Sequence, residues 1–163
     1  MDVEACSRTI SWTDPAKLAE IAKTMSGLDY MRSVRDGAIA EPPVARLLGY
    51  HVVEVEEGHV VLEMTPSEYH YNPFGTVQGG VASSILDATT GATVYTTLPV
   101  GTSHTSLDLK VNFVRPITSR VGRMRCDGRI VHRDHDIAIA EARLTDINGE
   151  LYVMGSSTCM IFR

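Results

Sequence analysis

The sequence lacks the features that mark secreted, disulfide-rich or membrane-spanning proteins. Its 163 residues include only three cysteines, Cys6, Cys126 and Cys159. This number is odd, and the spacing is too wide for a disulfide framework or a zinc site. We therefore expect free thiols in a reducing compartment, while a nucleophilic cysteine remains open at this stage. No apolar run approaches the roughly 20 residues that a membrane-spanning helix needs.

The chain also lacks an excess of basic residues. Lysine and arginine total 15 against 20 acidic residues, which gives a formal charge of -5. Such a balance provides no long-range attraction for nucleic acid or an anionic membrane, so an anionic ligand must be held by local groups. The amino terminus has no apolar segment typical of a secretory signal. We expect a cytoplasmic protein that binds neither nucleic acid nor membrane.

The first part of the chain is predicted to be helical. Asp14 and Pro15 form a typical helix start, with a capping side chain before proline. Apolar residues then recur at helical spacing, which predicts one amphipathic helix over 15–35. We treat residues 1–44 as an N-terminal helical extension and residues 45–163 as the main domain.

The rest of the chain combines one long helix with alternating, strand-like segments. The segment 79–99 is too long for one strand and has little alternation, so it predicts a helix rich in small residues. Asn148-Gly149 is a strong hairpin signal. A short helix is expected over 43–48, and strands are expected over 50–56, 59–65, 104–114, 120–132, 136–146 and 150–162.

The loop before the long helix has the composition of an anion-binding site. It carries Asn72 and Gln78 and ends in Gly79 and Gly80. Two glycines at a helix start present bare backbone N–H groups, and the helix dipole there favours a developing negative charge. A carbonyl that turns into an oxyanion is such a charge. The two amide side chains could position an acyl group or a water molecule.

Asp87 lies inside the same helix, where aspartate has a poor propensity. If the central helix buries Asp87, its charge is costly, which makes the residue a candidate nucleophile or general base. The alternative is that Asp87 only hydrogen-bonds to a neighbouring hydroxyl or to water at the helix surface. The residue alone does not decide between these interpretations.

The spacing of Gly79 and Asp87 constrains any site that uses both. Eight residues separate them, which corresponds to about 12 Å along one helix. Groups so far apart cannot contact one reacting carbon. If both are catalytic, they come from two chains, and the protein is at least a dimer with composite sites.

The segment from Asn72 to Asp87, together with the strand Ser106–Pro116 (SLDLKVNFVRP), resembles the hotdog-fold acyl-CoA thioesterases of the PaaI-like, phenylacetate-pathway branch. The resemblance covers roughly residues 45–162. It implies an α+β fold in which an antiparallel sheet wraps around one long central helix.

The resemblance also implies roles for individual residues. Asn72, Gln78 and Gly79 of one subunit would face Asp87 and Ser106 of the partner. Many family members have histidine where this chain has a glutamine, and because glutamine cannot titrate it can only position the carbonyl. Coenzyme A would lie along the subunit interface, contacted by three further candidates: Gly80, Lys110 and Arg115.

The expected function is hydrolysis of an acyl-CoA to free acid and coenzyme A, without a metal or a separate cofactor. A homodimer is the expected minimal unit and a homotetramer the expected assembly. The alternatives are a non-catalytic acyl-CoA-binding protein, which would be expected to lack Asp87, and a hydratase, which would need a histidine at position 78. The acyl group stays open, and the extension is interpreted as padding of the sheet in preference to a cap on the acyl pocket.

Overall fold

The computed structural model describes residues 5–163, in which seven strands and four α-helices form one α+β unit. The helices are α1 Pro15–Ala22, α2 Gly27–Arg35, α3 Pro43–Leu48 and α4 Gly79–Tyr95. The strands are β1 Tyr50–Glu56, β2 His59–Met64, β3 Ser103–Ser106, β4 Lys110–Phe113, β5 Met124–Arg133, β6 Ile137–Asp146 and β7 Leu151–Phe162. Short 3-10 turns cover Glu68–His70 and Ser119–Val121.

All strand pairs are antiparallel, in the order β1-β2-β5-β6-β7-β3, and β4 also pairs with β7. The predicted hairpins β1/β2 and β6/β7 are confirmed, and Gly149 has the positive φ of 84° that the second turn requires. The strand predicted over 104–114 is two strands. Asp108 interrupts the ladder, because its carbonyl accepts from the Ser157 hydroxyl and its carboxylate from the Thr158 N–H.

Helix α4 packs on β2, β5, β6 and β7, so the predicted central helix and surrounding sheet are confirmed. The sheet approaches closely at two glycines: a Cβ on Gly128 would lie 2.5 Å from the Thr93 hydroxyl, and one on Gly155 would lie 2.9 Å from Leu86. The buried threonines of α4 donate hydrogen bonds from their hydroxyls to carbonyls of the same helix, as Thr89 does to Ile85 O at 2.6 Å. No helix within residues 5–163 is long and apolar enough to cross a membrane.

The extension differs from its prediction. Asp14 caps α1 by accepting from the Ala16 N–H at 2.9 Å, as expected, but the single helix predicted over 15–35 is wrong. The chain leaves the helix after α1 and begins α2 behind a new cap, because the Ser26 hydroxyl accepts from the Asp29 N–H and donates to its carboxylate. Residues 1–4 of the expected extension lie outside the described residues.

Candidate active site

The side chain of Asn72 shapes the turn that leads into α4. Its Oδ1 accepts from the Phe74 N–H at 2.9 Å and from the Thr76 N–H at 3.3 Å. Its Nδ2 donates to the Thr76 hydroxyl at 2.9 Å. An amide nitrogen carries two hydrogens, so one remains for a ligand. The structure therefore gives Asn72 a role in ordering the loop that the sequence analysis did not foresee.

The buried His70 anchors the same loop. Its Nδ1 accepts from the Ser67 N–H at 3.1 Å, and its Nε2 donates to Leu48 O at 2.9 Å, an assignment that follows from the partner at each nitrogen. Burial lowers the pKa of His70, which keeps the ring neutral. The His70 carbonyl then accepts from the Gln78 N–H at 2.8 Å, so the ring and its backbone fix where α4 begins.

The amino terminus of α4 presents free backbone donors. Within residues 5–163 the N–H groups of Gly79 and Gly80 have no acceptor, as the start of a helix requires. Gln78 is the N-cap residue, and its exposed side chain makes no capping bond. The Phe113 ring covers Gly79 so closely that a Cβ there would lie 3.2 Å from Cζ. This arrangement agrees with the predicted anion-favouring helix end.

Asp87 and Ser106 meet two turns further along α4. The Ser106 hydroxyl, at the end of β3, donates to Asp87 Oδ1 at 2.9 Å. Asp87 is exposed in the single chain, so the burial expected for it is not found there. The reason is geometric: the sheet covers the face of α4 that carries Ile85, Leu86 and Thr89, and Asp87 lies on another face.

Asp87 and Ser106 line a cavity of about 440 Å³ between α2, α4 and strands β1 to β3, a volume typical of small-molecule sites. Its wall includes Tyr50 and His104. Burial, with a smaller contribution from the Asp87 charge, raises the pKa of Tyr50. Burial lowers the pKa of His104 although Asp87 opposes the shift. Both rings are therefore held in their neutral forms at neutral pH.

Comparison with known proteins finds similarity to one family. The family model of the thioesterase superfamily matches residues 74–153. The matched segment is similar in sequence to the thioesterase superfamily. A proposed thioesterase of Ralstonia eutropha JMP134, described as a phenylacetic acid degradation-related protein, superposes with a TM-score of 0.73 at 29% identity, covering 80% of this chain and 98% of that one.

One further solved structure shares the fold, and one further relative is similar in sequence. The E. coli PaaI protein from the phenylacetic acid degradation operon superposes with a TM-score of 0.73 at 14% identity, covering 85% of this chain and 97% of that one. A proposed esterase of Saccharolobus solfataricus is 24% identical over 120 residues, 74% of this chain and 84% of the relative. The predicted hotdog fold is confirmed.

The two halves of the candidate site lie apart within a single chain. Gly79 borders a shallow cavity next to Phe113, whereas Asp87 borders the cavity of Ser106. None of the five main cavities within residues 5–163 is lined by both Gly79 and Asp87. Gly79 and Asp87 therefore stay about 12 Å apart along α4, and the fold of one chain does not bring them together.

Two of the residues predicted to contact coenzyme A lie near the Gly79 end: Gly80 follows Gly79 in α4, and Arg115 lines the same shallow cavity. Lys110 is exposed on β4, and Gly80 is exposed in the first turn of α4. Arg115 is already engaged, since its guanidinium donates to Leu151 O at 2.7 Å and pairs with Glu150 at 3.1 Å. Of these candidates, Lys110 has the cation most open to a phosphate.

Two of the three cysteines are poor nucleophiles in this fold. Cys126 and Cys159 are buried and Cys6 is exposed. Burial raises the pKa of Cys126 to about 12 and also raises the pKa of Cys159, so neither forms a thiolate at neutral pH. The structure therefore does not support either of these two thiols as the nucleophile.

Several residues that line the Asp87 cavity were not predicted from the sequence. His104 precedes Ser106 by two residues on a strand, so the two share a face. Tyr95 follows Asp87 by two helical turns, and this spacing was also visible in the sequence. No signal marked Tyr30, which α2 brings in from the extension. Helix α2 packs on β1, as padding of the sheet would, and it also walls the cavity.

Proposed function

We propose that the protein hydrolyses acyl-CoA thioesters to a free acid and coenzyme A. The observation that carries the proposal is the Asp87 carboxylate, bound by Ser106 at 2.9 Å at a cavity large enough for an acyl group. The match of residues 74–153 to the thioesterase superfamily supports thioester hydrolysis in general. The acyl-CoA substrate and the residue roles are our inference from the site.

In the general-base route, Asp87 accepts a proton from water while the water oxygen attacks the thioester carbonyl carbon. The resulting oxyanion is stabilised by the Gly79 N–H and the α4 dipole. Collapse of this intermediate breaks the C–S bond, and the proton held by Asp87 passes to the leaving thiolate. In the nucleophilic route, Asp87 attacks the carbonyl carbon itself, and the C–S bond breaks to give a mixed anhydride and the coenzyme A thiolate. Water then hydrolyses the anhydride to the free acid and regenerates the Asp87 carboxylate, and the proton released in this step neutralises the thiolate.

Both routes require Gly79 of one subunit and Asp87 of another. Open sheet edges support this arrangement, because β3 and β4 each pair only with β7 within residues 5–163. Leu107, Phe113 and Val114 are exposed beside these edges, and unpaired apolar edges favour pairing with another chain. We therefore propose a homodimer as the catalytic unit and a homotetramer as the assembly.

We place coenzyme A next to the amino terminus of α4. The bare N–H of Gly80 and the ammonium of Lys110 are the proposed phosphate contacts. Arg115 joins them only if it exchanges Glu150 for a phosphate, since it already holds an ion pair. The free thiols support a reducing compartment, for which we propose the cytoplasm.

A non-catalytic acyl-CoA-binding protein is the second candidate. Two observations favour it: Gln78 cannot move a proton, and the Asn72 side chain is largely committed to its loop. Such a protein would bind acyl-CoA without releasing thiol.

Thiol release from aryl, short-, medium- and long-chain acyl-CoA, compared between the wild type and Asp87→Asn, separates the two candidates. Saturable hydrolysis that is lost in the variant supports the thioesterase. Acyl-CoA binding by calorimetry without hydrolysis supports the binding protein. Hydrolysis that is indifferent to Asp87 would overturn the proposed mechanism.

A further inference from the structure

A second cavity lies behind the Asp87 cavity. It measures about 830 Å³ and is bounded by α1, α2 and the segment that leads into β3. The two cavities share part of their lining, namely Tyr30, Pro42, Tyr95 and His104. These four residues therefore stand between the two cavities, with Asp87 on one side and an apolar cleft on the other.

Three of the four residues, Tyr30, Tyr95 and His104, are aromatic rings in contact, and we call these three rings the partition. The centroids of Tyr30 and Tyr95 lie 5.7 Å apart at an interplanar angle of 65°, an edge-to-face contact of the kind that aromatic pairs prefer. Tyr95 and His104 lie 5.9 Å apart. Since the rings come from α2, α4 and β3, three separate elements close the boundary between the cavities.

Gly27 fixes the position of Tyr30 in the partition. A Cβ at Gly27 would lie 1.8 Å from the Tyr95 carbonyl oxygen, so only glycine allows this approach of α2 to α4. The Gly27 N–H also donates to Leu98 O at 3.0 Å. Tyr30 follows on the same helical face, because residues three apart are neighbours on a helix surface.

The partition stands at the distal end of the path that an acyl chain would follow. Asp87, Gly91 and Tyr95 are four residues apart on one face of α4, so Tyr95 lies about 12 Å beyond Asp87. Gly91 leaves room between them, and a Cβ there would lie 3.3 Å from His104 Nε2. A thioester that reacts at Asp87 would direct its acyl group along this face toward Tyr95.

We propose that the partition formed by Tyr30, Tyr95 and His104 limits the length of the acyl group. Short-chain and aryl acyl groups fit between Asp87 and the partition, and long alkyl chains are excluded. The second cavity is the space into which a longer chain would extend if the partition were removed. This inference rests on the proposed acyl-CoA hydrolysis and assigns its substrate class.

The test compares the kcat/KM ratio for dodecanoyl-CoA over butanoyl-CoA in the wild type, Tyr30→Ala and Tyr30→Phe. We expect the alanine variant to raise this ratio at least about tenfold, because apolar pockets discriminate on this scale per added methylene. The phenylalanine variant keeps the ring and is expected to restore the wild-type ratio. A wild type that prefers dodecanoyl-CoA, or an alanine variant with an unchanged ratio, would overturn the proposal.

Tyr95→Ala removes a second ring of the partition, this time from α4. Thermal unfolding shows whether each variant folds. If Tyr30→Ala does not fold, the same comparison of kcat/KM ratios is made with Tyr95→Ala. Calorimetric binding of free dodecanoate separates this inference from the proposed function. If no variant hydrolyses any acyl-CoA, the proposed hydrolysis fails. The partition is then supported if its removal tightens dodecanoate binding at least about tenfold over the wild type, and it is rejected if binding is equal.

Discussion

The Ser106 hydroxyl at the end of β3 donates a 2.9 Å hydrogen bond to Oδ1 of Asp87 on α4. The bond orients the carboxylate and joins the edge of the sheet to the central helix. Oδ2 of Asp87 has no partner within residues 5–163. One oxygen is thus held by the fold, and the other is available to a water molecule or a thioester carbon.

Asp87→Asn is expected to lower kcat about 10²- to 10⁴-fold, the range typical of losing a general acid or base. The amide has nearly the same shape, and the site is exposed, so thermal stability should be retained. Thiol release and thermal unfolding measure the two effects. Asp36→Asn, an exposed carboxylate paired with Arg35 at the end of α2, is the matched control. A loss of only a few-fold would argue against a catalytic Asp87.

Ser106→Ala removes the hydrogen bond to Asp87, and we expect kcat to fall about tenfold, in line with hydrogen bonds to charged groups. Ser106→Thr retains the hydroxyl and should recover most of the activity. Because the serine acts through the carboxylate, its loss should lower kcat while KM stays nearly unchanged. A wild-type kcat in Ser106→Ala would contradict the positioning role.

The Gly79 N–H can be removed without breaking α4. Proline is tolerated at the first helical position, and the ψ of 134° at Gln78 suits a residue before proline. Gly79→Pro should lower kcat about 10²- to 10³-fold, as for loss of an oxyanion donor. Gly79→Ala keeps the N–H and meets the same contact with Phe113, so it serves as the control. Equal losses in both variants would point to the Phe113 contact instead.

A composite site predicts complementation between inactive subunits. When Asp87→Asn and Gly79→Pro chains are unfolded together and refolded in equal amounts, mixed dimers contain one intact site each. Random pairing should recover about a quarter of the wild-type activity, since half of the dimers are mixed and half of their sites are intact. The separately refolded variants are the control. No recovery, with mixed dimers verified by mass spectrometry, would place both groups in one chain or exclude one of them.

Acid should destabilise the fold through His70. Burial lowers its folded pKa below the ordinary value of 6.5, so the unfolded chain binds the proton more readily. The stabilisation is complete above pH 6.5 and is lost as the pH falls through the folded pKa. Urea unfolding of wild type and His70→Gln across this range should show a flatter pH dependence in the variant. The pKa of His104 is lowered as well, so the His70→Gln variant should keep part of the pH dependence of its unfolding free energy. An identical pH dependence in the variant and the wild type would contradict the role assigned to His70.

Local signals in the sequence were enough to predict most of the fold. Alternating residues and the Asn148-Gly149 turn predicted the hairpins, and the Gly79–Gly80 pair marked the start of the central helix. The break between α1 and α2 was missed although Ser26 is a good N-cap, because the apolar periodicity continues across it. Asp108 likewise interrupts a strand whose alternation is unbroken.

The candidate site was only partly predictable, because much of it depends on tertiary packing. The sequence analysis assigned Asp87 and Ser106 to the same half of the candidate site, and in the fold these two side chains form a hydrogen bond. The exposure of Asp87 depends on which face of α4 packs on the sheet. The amino-acid pattern around Asp87 does not indicate that face. Tyr30 reaches the cavity from a segment more than fifty residues away in the chain, and no local pattern indicates such a contact.

The close approach at Gly27 has an evolutionary consequence. The groups proposed for catalysis lie on α4 and β3, while the docking of α2, and with it the depth of the pocket, depends on one backbone contact in the extension. Any larger side chain at position 27 would push α2 away from Tyr95 without altering Asp87 or Ser106. Substrate range can therefore diverge among descendants of this protein through changes in the extension, while the chemistry is inherited unaltered.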